Sequence, residues 1–369
     1  MSLLPQTSPD VLLAAEEANA ERWALAFGAL PQMITSKHVL RPPDLLPYLV
    51  YEYGLGMLTP YVANTYDLID TGRTWMRLRG TFAGVEQGLE FAGAPGSVEP
   101  ARPSRVWWNS AQVRFAALPE SEAVLDRVEG VTRLSLPYRS DLRRGVHEHD
   151  VGPALVDSSR ADRCLIERES GVRLREGGTL WSFGRTADIE HTLTEAEGLA
   201  LGNWLAPADG GALRWVDMTY PWVTAQFAWG ANPEAQRRQL MARWFEGRTL
   251  HVRLMDADGA VIGYRRVRAL RAVNEALSGR YRHGSASYSP SASGQSVYAE
   301  ALTGFGNGAG QTVASAALIY GAVPAAGVRA GALWLGPDDL SGGVAFAEYP
   351  LQMDLRPTVR ERLRFLLRF

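Results

Sequence analysis

His147-Glu148-His149 is the one cluster of possible metal ligands in this sequence, and two imidazoles two residues apart can reach a single ion from a strand or loop. It lacks the helical HExxH spacing and has no second cluster of His, Cys or Asp to complete a site, so a solvated loop competes with a metal centre. The run Gly304-Phe305-Gly306-Asn307-Gly308-Ala309-Gly310 is glycine-rich enough to suggest a phosphate loop. Such loops end in Gly-Lys-Ser/Thr, which is missing here, and a turn explains the run. Glu195 with Glu197, and Asp338 with Asp339, are paired carboxylates of the type that glycoside hydrolysis needs, though ordinary surface pairs look the same in sequence. No G-x-S-x-G elbow accompanies the plentiful serines, which argues against a serine hydrolase. The expectation is a protein without catalytic residues, metal or cofactor.

The aromatic residues say more. There are 11 Trp, 13 Tyr and 11 Phe, and Trp107-Trp108 and the group Trp215, Tyr220, Trp222, Trp229 set large rings side by side or alternating. A two-layer sheet hides only half of such rings; those left outside are interface candidates or platforms for sugars. At the other end of the chain, Val359, Leu363, Leu366 and Leu367 recur at helical spacing within 357–369, with Arg356, Arg360, Arg362, Arg364 and Arg368 between them. This predicts a short basic amphipathic helix, with Arg360 and Arg364 as candidate contacts to an acidic partner surface.

These residues have to be positioned by regular elements, and the first hundred residues read as helices. Ser8-Pro9-Asp10 is a start signal for a helix over about 9–27. On it Val11, Ala15, Ala18 and Leu25 share an arc, while Leu12, Trp23 and Ala26 widen the apolar surface beyond what one neighbour covers. Val11, Ala15, Ala18, Trp23 and Leu25 are therefore expected at an interface, together with Trp107, Trp108 and Trp222. Asp44 is expected to cap a short helix over 45–53, Thr59-Pro60 to start a long helix carrying Leu68, Ile69, Gly72, Trp75 and Met76, and Gly80-Thr81 to break and recap before a further helix. Proline and glycine then interrupt the chain over 94–104. Strands are predicted at 106–108 and 112–116, a helix at 119–128 and a strand at 131–136.

From Val146 onward the hydrophobic period is two, with strands predicted at 164–169, 172–176, 179–183, 213–218, 222–229, 249–255 and 261–267, and helices at 194–205 and 233–245. Asp256-Ala257-Asp258-Gly259 reads as a hairpin turn. Residues 284–296 read as a linker, and further strands follow near 312–320, 331–335 and 343–349. The fold class expected is α+β: an N-terminal helical layer with a small β element, a β-rich sandwich- or barrel-like C-terminal region, and the short terminal basic helix. The segments expected are 1–145, 146–284 and 298–369.

Composition narrows the class of partner. Lys+Arg 38 against Asp+Glu 40 gives a net charge of -2, which lacks the positive field of a dedicated nucleic-acid binder. No apolar run approaches the roughly 20 residues that cross a bilayer. The single cysteine, Cys164, excludes an internal disulfide framework, and Met1 to Asp10 carries no basic residue of the kind that opens a secretory signal. Neither nucleic acid nor membrane is expected as a partner.

The order of N-terminal signals resembles the phage tail protein I family of contractile-tail baseplates. The residues that carry the likeness are Leu3-Leu4-Pro5, Glu21-Arg22, Pro43-Asp44-Leu45-Leu46-Pro47-Tyr48-Leu49, Gly80-Thr81, Gly84-Val85, Trp107-Trp108 and Leu136-Pro137-Tyr138-Arg139-Ser140. The likeness spans about Leu3 to Arg144; Gly54-Leu55-Gly56-Met57-Leu58 replaces the family's usual tryptophan-containing segment, and everything after Val146 lies beyond it. The resemblance implies a non-enzymatic baseplate wedge subunit of the virion, assembled in the host cytoplasm and bundled with companion wedge proteins of the tail protein J type. The β-rich extension would then serve contacts between wedges or support a tail fibre or fibre adaptor. A glycan-binding adaptor, using the exposed rings of the β-rich half, is the rival expectation.

Overall fold

The computed structural model describes residues 5, 7–101, 108–154, 164–166, 168–207 and 233–369. Helices crowd the N-terminal part and strands dominate the rest, which is the mixed α+β class expected. The chain divides into two units, Met1–Glu99 with Pro119–Asp141, and Pro100–Leu118 with Leu142–Phe369. Residues 108–118 and 142–145 thus fall in the second unit, with most of the strands.

The helical unit contains α1 (Asp10–Phe27), α2 (Leu30–Thr35), α3 (Leu46–Glu52), α4 (Thr65–Leu78), α5 (Phe82–Phe91) and α6 (Glu122–Ser135). α4 buries Leu68, Ile69, Gly72 and Trp75, the stripe that its 3.6-residue period dictates. Its start is at Asn64, whose side chain accepts from the Tyr66 amide, and not at Thr59-Pro60. Thr81 caps α5 as expected, accepting from the Gly84 amide, whereas Asp44 lies in a 3₁₀ turn, Pro43–Leu45, with no cap hydrogen bond to α3. The helix expected over 119–128 and the strand expected over 131–136 are one helix, α6. Its β-branched residues Val128, Val131 and Thr132 fall with Leu125 and Ser135 on one buried helical face, so packing overrides their strand propensity. Trp75, fully buried, donates from Nε1 to Ser135 Oγ at 2.9 Å, and Ser135 Oγ donates onward to the Val131 carbonyl at 2.7 Å.

In the second unit two sheets share one hydrophobic core. One runs in the order Ser110–Phe115, Asp141–His147, Leu180–Thr192, Val359–Arg368, Ser296–Leu302, Ala269–Glu275, Ala286–Pro290, Tyr281–His283. The other runs Trp334–Leu335, Val261–Arg266, Leu250–Met255, Thr312–Tyr320, Val344–Asp354. Leu363, Phe365, Leu367, Val297 and Ala299 from the first sheet meet Val252, Leu254, Val313 and Leu318 from the second, and α8 (Pro233–Trp244) with its following residue adds Met241, Ala242 and Phe245. α7 (Glu195–Leu201) carries a capping box between Thr194 and Glu197. In the 256–259 hairpin, Asp256 Oδ1 accepts from the Asp258 and Ala260 amides and Gly259 takes φ +79°, as the sequence predicts.

The terminal basic helix is the main correction. Val359–Arg368 is a strand inside the first sheet, parallel to Leu180–Thr192 from Val359 opposite Phe183 to Arg368 opposite Thr192, and antiparallel to Ser296–Leu302. Val359, Glu361, Leu363, Phe365 and Leu367 are buried, while Arg360, Arg362 and Arg364 alternate with them, a period of two that includes Phe365, which the helical spacing left out. The expected linker 284–296 likewise holds a strand, Ala286–Pro290, paired on both sides. The strands expected at 213–218 and 222–229 lie outside the described residues, as do Trp215, Tyr220, Trp222, Trp229 and Trp107.

Candidate functional surfaces

On α1 the side chains of Val11, Leu12, Ala15, Ala18, Leu25 and Phe27 are all exposed, Val11 at 80 % and Leu25 at 88 %. None of the described α1 side chains is buried; that of Trp23 lies outside those described. A helix of 18 residues with so many apolar groups in water gains little from its own unit. Exposure continues beyond it at Leu30, Val39 and Leu40, and at Tyr48 and Tyr51 on the outer side of α3, whose inner side buries Leu46, Leu49 and Val50. Trp108 is 70 % exposed in the second unit.

The histidine cluster is taken apart by its partners. His147 donates from Nδ1 to the Phe115 carbonyl at 3.0 Å, whereas His149 Nε2 accepts from Arg360 Nη1 at 3.0 Å. Accepting from a guanidinium requires a neutral imidazole, and burial followed by the charges of Arg360, Arg362 and Arg144 brings the pKa of His149 down to about 4. Glu148, at φ +55°, accepts from Thr186 Oγ1. Among the described residues no group of three or more His, Cys, Asp or Glu is placed to hold a metal ion.

The carboxylate pairs resolve in the same way. Glu197 accepts from the Thr194 amide and hydroxyl, from His191 Nε2 and from the Ala347 amide. Burial pushes its carboxyl up, but these hydrogen bonds outweigh it and hold the group at about 2. That is a carboxylate fixed in its ionised form as a helix cap, with Glu195 exposed to solvent beside it. Asp339 Oδ2 accepts from the Gly336 amide in a turn, and in the glycine run Asn307 Oδ1 takes the Gly304 amide.

Arg360 and Arg364 work within the sheet. Arg360 donates from Nε to the Thr303 carbonyl at 2.9 Å and lies over the Phe305 ring. Arg364 donates from Nη1 to the Arg282 carbonyl at 2.6 Å, and its Nε forms an ion pair with Asp188 at 3.1 Å. Sequence reasoning missed the deeper arginines altogether. Arg144 is wholly buried and donates to Gln112 Oε1, Asp150 Oδ1 and the Ser170 carbonyl, while Ser170 and Ser182 extend the network to the His149 carbonyl. Arg185 clamps Glu361 with two bonds of 2.8 and 2.7 Å. Arg265 is different: it is 4 % exposed and, unlike Arg144 and Arg185, forms no ion pair with a carboxylate among the described residues. Burial, then the nearby charges of Arg360 and Arg268, lower its pKa to about 10. The only sequence signal for these groups is an arginine at an inward position of an alternating strand.

Compared with known proteins, the chain matches no family model and no curated protein significantly.

Proposed function

We propose that this protein is a structural wedge component of a contractile phage-tail baseplate or a related injection machine, and that α1 bundles with helices of companion wedge proteins of the tail protein J type. The observation that carries the reading is α1 itself, whose apolar arc of Val11, Ala15, Ala18 and Leu25 is left in water. Exposed apolar surface of this extent on a helix is the kind that a partner helix covers. The resemblance of the N-terminal segment to the tail protein I family supplies the kind of partner. The β-rich unit, with its own core, then serves contacts between wedges or a fibre.

Co-expression with a tail protein J homologue tests the reading. The full chain co-purifies with it, and removal of residues 1–27, or the pair Val11→Asp and Leu25→Asp, abolishes co-purification. Because both side chains are exposed, the double variant keeps the melting temperature of the parent. A truncated or doubly charged chain that still assembles overturns the assignment.

A further inference from the structure

A groove of about 420 Å³ opens beside the last strand of the β-rich unit, within the range of roughly 300–1,000 Å³ common to small-molecule sites. Arg368, Thr192 and Ser296 come from three adjacent strands of the first sheet, Asn274 and Glu275 from the end of a fourth, and Arg238 from α8. Tyr288, which is buried, and Phe369 give it a small apolar surface.

Some of these groups are already satisfied. Arg368 is paired with Glu190 and bonded to Tyr288, and Asn274 donates to the Ser293 carbonyl while accepting from the Gln295 amide. Arg238 is held through Nε by Glu234 at 3.4 Å, and among the described residues its Nη groups have no hydrogen-bond partner. The side chains of Thr192, Glu275, Gln295 and Ser296 line the same hollow and have no side-chain hydrogen bond to the other described residues. Together they present an amide, two hydroxyls, a carboxylate and the outer edge of a guanidinium, so the lining mixes donors and acceptors.

We propose that this groove binds a neutral saccharide unit. A sugar hydroxyl donates and accepts at once, so a ring bearing several of them matches a mixed rim better than a ligand that offers acceptors alone. Charge points the same way. Glu234, shared by Arg237 and Arg238, Glu190 on Arg368, and Glu275 balance the three guanidinium groups, so there is no surplus positive charge to draw an anion such as phosphate. The limited apolar surface at Tyr288 and Phe369 suits the C–H face of a pyranose better than a hydrophobic ligand. The site does not depend on the exposed tryptophans, nor on the assembly role of α1.

The test uses the full-length chain and saturation-transfer NMR with glucose, galactose, N-acetylglucosamine and rhamnose, and with glucuronate and inorganic phosphate as anionic controls. At least one neutral sugar is expected to bind saturably, and Glu275→Ala and Gln295→Ala are each expected to weaken it roughly tenfold. Glu275→Ala keeps the melting temperature of the parent, because the side chain is exposed and has no partner among the described residues. The proposal is overturned if none of the neutral sugars binds saturably, if both variants bind as the parent does, or if only glucuronate or phosphate binds.

Discussion

Arg265 holds a guanidinium in a place where the described residues offer it no carboxylate, with Arg360 and Arg268 disfavouring its charge. Desolvation here has no compensating attraction, so Arg265→Met keeps most of the packing and removes the penalty. The variant is expected to gain about 1–3 kcal/mol, read as a higher urea midpoint at unchanged slope. Arg144 is equally buried, yet Arg144→Met removes its bonds to Asp150, Gln112 and Ser170 and sets an apolar side chain among them; Asp150 keeps Arg114, so a loss of about 1–3 kcal/mol is expected. Equal losses at both positions would show that burial alone, and not partnership, sets the cost. His149 adds a pH dependence. Its folded pKa is depressed from 6.5 to about 4, so the unfolded chain takes up the proton first. The contribution is whole above pH 6.5 and drains away as pH falls towards 4, by about 3 kcal/mol at most. Glu197, lowered from 4.5 to about 2, begins to lose its own contribution only as pH falls below about 4.5, at the foot of that window. Urea midpoints measured from pH 7 to 4 should therefore decline in the parent and flatten in His149→Gln; parallel curves would remove His149 as the cause.

Between elements, close approach decides more than propensity. On α5, Gly88 faces α6, and a Cβ there would lie 2.8 Å from Ser135 Oγ and 3.2 Å from Val131 Cγ2. Alanine gains about 1 kcal/mol of helix propensity over glycine, but the clash costs roughly 1–3 kcal/mol and disturbs the Trp75–Ser135 bond. Gly88→Ala is expected to be net destabilising by calorimetry, and a raised melting temperature would mean that the helices separate freely. The same balance explains what could be read beforehand. α5 is legible because an apolar stripe and the Thr81 cap agree, and α4 is legible from its stripe alone, its cap being Asn64 and not Thr59. α6 was split because Val131 and Thr132 favour strands in isolation, and only the contact with α5 makes them helical. The final strand was misread because Val359, Leu363, Leu366 and Leu367 fit a helical period while Val359, Leu363, Phe365 and Leu367 fit a strand. Choosing between them requires the neighbouring strands at 180–192 and 296–302, which are far away in sequence. The groove was illegible for the same reason, since Thr192, Arg238, Glu275 and Gln295 meet only through the sheet.

For the whole molecule, the contrast lies between a β-rich unit that closes its own core and an opening helix that buries none of its described side chains. A helix of 18 residues with none of its described side chains buried is marginal in water, because nucleation is costly and propagation gains little per residue. α1 is therefore expected to open readily in the isolated chain and to become stable only when a partner covers Val11, Ala15, Ala18 and Leu25. Hydrogen exchange measures this directly. Amides of 10–27 should exchange near the unprotected rate in the purified protein, while those of 359–368, hydrogen-bonded on both sides and lined by Leu363 and Phe365, should exchange only on global unfolding. In the co-purified complex with a tail protein J homologue, protection should spread to 10–27 and leave 359–368 unchanged. If 10–27 is already protected as strongly as the sheet in the isolated chain, α1 is held by its own molecule and the assembly role proposed for it fails.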